Sequence, residues 1–163
     1  MPRQPALYVS DPERVVTLEI NVSPSDLPSI DRRPNDPSKP VRKVLLLDDR
    51  DDFREVLRDH LVFRGFQVTS VPSGVEGLGE IQKTGFDLII CDMVMPRSGG
   101  EMFYWAVTRI RPAAAQRFIF FTGHQNNPAI QFFFKRVNAT VLIKPFKLSA
   151  LDSTISEVLR RLG

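Results

Sequence analysis

The sequence predicts an α/β fold, an open sandwich in which five short strands alternate with five helices. Two observations predict it. First, short β-branched or Leu-rich runs recur between segments whose apolar residues follow a helical period. Four of those runs are apolar throughout, as in parallel strands covered on both faces. Second, 8 of the 13 prolines fall in the first 40 residues, which leaves about 123 of the 163 residues for one packed domain. A segment of that size buries enough apolar surface to fold without disulfide or metal staples, and it is too short for a multidomain enzyme.

In chain order, residues 1–40 read as a Pro-rich N-terminal extension, with Pro24 to Pro40 as linker. Within it Val16, Leu18, Ile20 and Val22 alternate with Thr17, Glu19 and Asn21, which predicts a possible strand at 15–22. A lone strand needs a sheet edge, of its own domain or of a partner. The folded domain then spans 41–163. Its strands are Val44–Leu47, Gln67–Ser70, Leu88–Cys91, Phe118–Phe121 and Val141–Ile143. The first helix carries Phe53, Val56, Leu57, His60 and Leu61 at three- and four-residue spacing, with Gly65 placed to end it. A fourth helix begins at Pro128 with Ala129, Ile130, Phe133 or Phe134, and Val137 as its core stripe. Phe132 falls on the opposite side and is expected to be exposed. The last helix repeats the stripe in Leu148, Leu151, Ile155, Val158, Leu159 and Leu162, with Ser149 and Asp152 spaced as a capping box.

Composition removes several functional classes. At 42% hydrophobic and 25% charged residues the chain is neither disordered nor collagenous. It holds no apolar run near the length of about eighteen residues needed to span a bilayer. The N-terminus, broken by Pro2, Pro5 and Pro12, lacks a signal-peptide core, so a cytoplasmic location is expected. The single cysteine, Cys91, excludes an internal disulfide and a Cys-based zinc cluster, and its apolar neighbours predict a reduced, buried thiol. The formal charge of +3 arises from 22 basic and 19 acidic residues spread along the chain, which predicts a solvated surface and no direct nucleic-acid binding.

In open α/β sheets ligands bind beyond the carboxyl ends of the strands. Here the first strand ends in Asp48-Asp49, the third in Asp92 and the fourth in Thr122, while the fifth runs into Lys144-Pro145. Each residue alone is a common turn former or helix cap. Together they bring three carboxylates, a hydroxyl and an ammonium to one rim. Three neighbouring carboxylates repel unless a cation joins them, and all-oxygen ligands favour a hard ion, Mg²⁺ or Mn²⁺. A hard cation with a lysine and a hydroxyl beside it is what the equatorial oxygens of a phosphoryl group require.

The segment resembles the response-regulator receiver domain of two-component signalling, the CheY-like superfamily. The resemblance rests on Leu-Leu-Asp48-Asp49, Asp92-Met93-Val94-Met95-Pro96 with Gly100, Thr122-Gly123, and Lys144-Pro145-Phe146, in that order and spacing. It implies a flavodoxin-like (βα)5 fold: an open parallel five-stranded sheet of order 2-1-3-4-5 with helices on both faces. It implies that Asp92 is the phosphoacceptor, and that Mg²⁺ is held by Asp49, Asp92 and the Val94 main-chain carbonyl, with Asp48 bound through water. Lys144 would pair with the phosphoryl oxygens, Thr122 would swing in as the switch hydroxyl, with Gly123 leaving its loop room to close, and the Lys144–Pro145 bond would be cis. The donor would be a sensor histidine kinase or phosphotransfer protein, the output a downstream protein target. No enzymatic activity is expected beyond Mg-dependent self-phosphorylation and self-dephosphorylation.

The sequence departs from that pattern at four places. Val141 stands where receivers commonly carry an aromatic coupled to the switch hydroxyl. Val94 and His124 occupy positions that tune the lifetime of the phosphorylated state. Phe132 is expected on the face formed by the fourth helix, fifth strand and fifth helix, as an interface for a partner or a homodimer. The chain stops soon after the last helix, which predicts output through protein contacts or onward phosphoryl transfer. Other readings are a receiver fragment of a hybrid histidine kinase and a phosphorylation-independent binding module. Asp49-Arg50-Asp51 also resembles the Asp-x-Asp of haloacid-dehalogenase phosphohydrolases. Phe53 replaces that family's Thr or Val, however, and its downstream acidic motif is missing.

Overall fold

A computed structural model of the chain describes residues 40–163. The expected strand at 15–22 and the linker lie outside the described residues. Five parallel strands, β1 Lys43–Leu47, β2 Gln67–Val71, β3 Leu88–Asp92, β4 Phe118–Thr122 and β5 Thr140–Ile143, form one sheet of order β2-β1-β3-β4-β5. The helices are α1 Asp51–Phe63, α2 Gly74–Lys83, α3 Gly100–Ile110, α4 Pro128–Val137 and α5 Leu148–Arg161. A 3-10 helix at Pro112–Arg117, which the sequence pattern did not announce, leads into β4.

Strand alternation sorts the core into two layers. Val44, Leu46, Leu88, Ile90, Ile119, Phe121 and Leu142 point to one face and pack with Phe53, Leu57 and Leu61 of α1 and Leu151, Ile155 and Val158 of α5. Leu45, Leu47, Ile89, Cys91, Phe118 and Phe120 point to the other and meet Ile81 of α2, Phe103, Tyr104 and Val107 of α3, and Phe133 of α4. Both faces being covered is why β1, β3 and β4 read as unbroken apolar runs.

The helix ends follow local chemistry. Gly65 takes φ +91°, and the N–H groups of Gly65 and Phe66 donate to the carbonyls of Val62 and Leu61 at 2.9 and 3.1 Å, the paired bonds of a Schellman end. Pro128 opens α4 behind Asn127, whose side-chain oxygen accepts from the Ala129 and Ile130 N–H groups at 3.0 and 3.3 Å.

Several expected details are corrected. The Ser149–Asp152 capping box is not formed, because α5 starts earlier, with Lys147 at the cap position and no side-chain cap bond. Asp152 instead faces α1, where it lies 2.8 Å from His60 Nε2 and 3.6 Å from Arg64 Nε. His60 therefore belongs to a polar tie between α1 and α5, and Val56 is exposed at the edge of the stripe. In α4 Phe133 alone is fully buried. Ile130, Phe134 and Val137 are half-buried, and Ala129 faces solvent in the first turn.

Gly77 of α2 is pressed against the sheet layer. A Cβ there would stand 2.6 Å from Leu47 Cδ2 and 3.0 Å from the Phe103 ring. Gly77→Ala is expected to destabilise the domain by about 1–3 kcal/mol, read as a lowered urea midpoint, because overpacking outweighs the helix-propensity gain of alanine.

Candidate functional site

Sheet register delivers the expected groups to one edge. Asp48 follows β1, Asp92 and Thr122 are the last residues of β3 and β4, and Lys144 follows β5. Main-chain bonds lock their heights: Asp48 N–H donates to the Val71 carbonyl at 3.4 Å, Met93 N–H to the Phe121 carbonyl at 3.1 Å, and Lys144 N–H to the Thr122 carbonyl at 2.9 Å. At Gly100 an added Cβ would meet the Asp92 carbonyl at 2.8 Å, so only glycine lets α3 begin so close behind Asp92.

Lys144 joins the strand ends. Its Nζ donates to Asp48 Oδ2 at 3.0 Å and lies 3.4 Å from Asp92 Oδ1. The ammonium also sits 4.7 and 5.0 Å from the ring centroids of Phe53 and Phe121, which give it an apolar, cation-tolerant wall. The Lys144–Pro145 peptide is cis, as expected. Asp48 has no solvent exposure, and its second oxygen accepts the Arg50 main-chain N–H at 2.8 Å.

Asp92 is buried, and burial pushes its carboxyl up to about 6; Lys144 opposes that shift, Asp48 adds to it, and hydrogen bonds from Lys144 and the Val94 main chain hold it down. Burial, reinforced by Asp92 and Asp48, drives the Cys91 thiol well above its usual range, in keeping with the inert, buried cysteine the sequence predicted.

The carboxylates of Asp48, Asp49 and Asp92 offer oxygens that all lie within 4.8 Å of one another. Asp49 is exposed at the mouth while the other two are buried. Oxygen donors alone, two of them withdrawn from water and one open to it, fit a hard divalent ion that keeps part of its water shell. The Thr122 hydroxyl is fully buried and accepts the His124 N–H at 2.9 Å. The His124 and Val94 side chains are exposed, Gly123 has open space around its missing Cβ, and Val141 is half-buried in β5.

Sequence reasoning passed over three side chains. Phe53, taken only as core, supports the ammonium. Arg54 donates to the Asp48 carbonyl at 2.6 Å, and Arg50 places its Nε 3.8 Å from Asp48 Oδ1. The available signal was position, since the two arginines follow the Asp-Asp pair by one and five residues. Phe132 is 69% exposed, as expected. Arg136, one turn further along α4, lies over the Trp105 ring of α3 at 5.1 Å.

A family model for the response regulator receiver domain matches residues 44–156. The chain belongs to that family. This receiver is 35% identical over 105 residues to a response regulator receiver protein of Anaeromyxobacter, covering 64% of this chain and 43% of that one. It is 31% identical to a probable chemotaxis protein CheY of Rhizobium etli, covering 71% of this chain and 91% of its relative. The solved structure of Vibrio cholerae chemotaxis protein CheY4 matches with a TM-score of 0.67 at 32% identity, covering 73% and 99%. The chain spans half or less of the length of the first curated relatives it matches, from 50% down to 12%. Receivers of two-component systems bind Mg²⁺ at an acidic pocket, and this chain carries an acidic cluster in Asp48, Asp49 and Asp92.

The raised Asp92 carboxyl carries a stability signature in metal-free protein. The folded state holds the proton up to about pH 6, and the unfolded chain only to about 4. The group therefore disfavours folding progressively as pH climbs between those values, by about 2–3 kcal/mol above them. In chelator, Asp92→Asn is expected to unfold at higher urea than the parent at pH 7.5. That advantage should vanish below pH 4, and equal midpoints across the range would contradict it.

Proposed function

We propose that this receiver is a phosphoacceptor switch, with Asp92 taking a phosphoryl group from a histidine kinase or phosphotransfer partner. The observation that carries this reading is the Lys144 ammonium held between Asp48 and Asp92 at the rim where three carboxylates converge. An Asp92 carboxylate oxygen attacks phosphorus in line. The bond from phosphorus to the donor's imidazole nitrogen breaks, and that nitrogen keeps the bonding electrons. Lys144 stays with the transferred oxygens, its charge strengthened by the aromatic wall that keeps water from it.

Mg²⁺ or Mn²⁺ would be held by Asp49, Asp92 and the Val94 carbonyl, with Asp48 through water. When bound, it supplies the positive charge that offsets the carboxylates and the phosphoryl oxygens. The acyl phosphate adds nearly two negative charges beside Thr122. The Thr122 hydroxyl then exchanges its bond to the His124 N–H for one to the phosphoryl group, and open space at Gly123 lets the connecting loop follow. Val141 gives this hydroxyl no aromatic partner in β5, so the signal passes through the β4–α4 loop and α4. Val94 and His124, both at the mouth, set how readily water reaches the acyl phosphate.

Residues 41–163 form the switch and 1–40 a separate extension, whose segment 15–22 is a candidate contact for a partner or a sheet edge. The output is a protein contact, with the α4 region and exposed Phe132 as the surface for a target or a second copy.

Incubation with Mg²⁺ and a small acyl phosphate, followed by intact mass, tests the central claim. One alkali-labile phosphoryl group is expected on the parent and none on Asp92→Asn. A parent that binds Mg²⁺ but takes no phosphoryl group would favour a phosphorylation-independent binding module, and label retained in Asp92→Asn would move the acceptor elsewhere.

A further inference from the structure

Asp48 is engaged by two side-chain cations at once. Lys144 Nζ takes Oδ2 at 3.0 Å, and the Arg50 guanidinium stands against Oδ1, with Nε at 3.8 Å. Both cations share one aromatic surface: the Phe53 centroid is 4.9 Å from Arg50 Cζ and 4.7 Å from Lys144 Nζ. The two differ in setting. Lys144 is pinned between two carboxylates, with 15% of its side chain exposed, whereas Arg50 keeps 25% exposed and has one anionic partner among the described residues, itself wholly buried. At 3.8 Å the Arg50 contact is Coulombic and has no hydrogen-bond geometry to lose. The tighter tie between these residues is the main-chain bond from Arg50 N–H to Asp48 Oδ1, which does not depend on the side chain.

We propose that the Arg50 side chain is a resident counter-charge of the phosphoryl pocket. It competes with the divalent cation for Asp48 and, once displaced to the mouth, attracts the dianionic phosphoryl donor. This rests on the phosphoacceptor reading and adds to it a residue that sets cation affinity and donor capture in opposite directions. A fixed guanidinium beside the acidic cluster repels an incoming divalent ion and draws an incoming dianion. At the few ångströms separating Arg50 from Asp48, one unit charge in a partly solvated setting changes such affinities by about three- to tenfold.

Arg50→Gln tests this because it removes the charge and leaves the main-chain bond to Asp48 in place. Calorimetric titration of Mg²⁺ into unphosphorylated protein should show a Kd lower by about three- to tenfold. At saturating Mg²⁺, the acyl-phosphate concentration giving half-maximal phosphorylation rate should rise by a similar factor. Arg50→Lys should restore both values toward the parent, which a packing defect at the Phe53 ring would not do. Far-UV circular dichroism and the urea midpoint establish that each variant is folded. Unchanged or weakened Mg²⁺ binding in folded Arg50→Gln, or an unchanged donor requirement, overturns the role of Arg50 while parental Mg²⁺ binding and phosphorylation leave the acceptor reading intact. A parent that binds no Mg²⁺ overturns both.

Discussion

The arrangement of this domain depends on placing a lysine ammonium between two buried carboxylates. Asp48 has no contact with solvent and Asp92 almost none, yet they share the end of one sheet. Two desolvated like charges at that spacing would force one to hold a proton at neutral pH. Burial is the main reason the Asp92 carboxyl is raised, Lys144 is what limits the rise, and Asp48 adds to it. The ammonium is delivered from the far side of the sheet: β5 lies two strands beyond β3, and Lys144 reaches back over Phe121 to its partners. The sheet has to be complete through β5 before the charges at its centre are balanced.

The same alternation that builds the core builds the site. Even-numbered positions of β1 and β3 such as Leu46 and Ile90 enter the layer under α1 and α5, and Asp48 and Asp92 continue that alternation at the point where the strands emerge. Lys144 and Phe53 approach from the α1 side as well, with Phe53 meeting Phe121 edge-on at 5.8 Å. The pocket is the polar rim of one apolar layer, and the aromatic residues that close the layer also exclude water from the ammonium.

Much of this was legible in sequence because it rests on local pattern. Apolar runs marked the buried parallel strands, Gly65 marked the end of α1, and the polar residues closing β1, β3, β4 and β5 marked the rim. What was not legible depends on pairs distant in sequence. Ser149 and Asp152 have capping spacing, but Asp152 is drawn away by His60, 92 residues earlier, through the packing of α5 on α1. Arg50 was passed over because its two neighbours, Phe53 and the Asp48 carboxylate, converge on it only once the β1–α1 turn has formed. Phe132 was correctly read as exposed, whereas the contact of Arg136 with Trp105 joins α4 to α3 across 31 residues of chain and has no local pattern.

The uneven anchoring of the helices decides where a disturbance at the rim can travel. α1, α3 and α5 each bury at least three side chains, and α1 and α5 are further clasped by His60 and Asp152. α4 fully buries only Phe133, and its first turn is held by the side chains of Asn127 and Gln131, both bonded to exposed loop backbone or helix N–H groups. Displacing α4 therefore needs less free energy than displacing any of those three helices. It is also the helix tethered through a short loop to Thr122, the hydroxyl at the rim. A charge change at the strand ends meets firmly seated helices in α1, α3 and α5 and a lightly seated one in α4, and this asymmetry singles out one element as the compliant one.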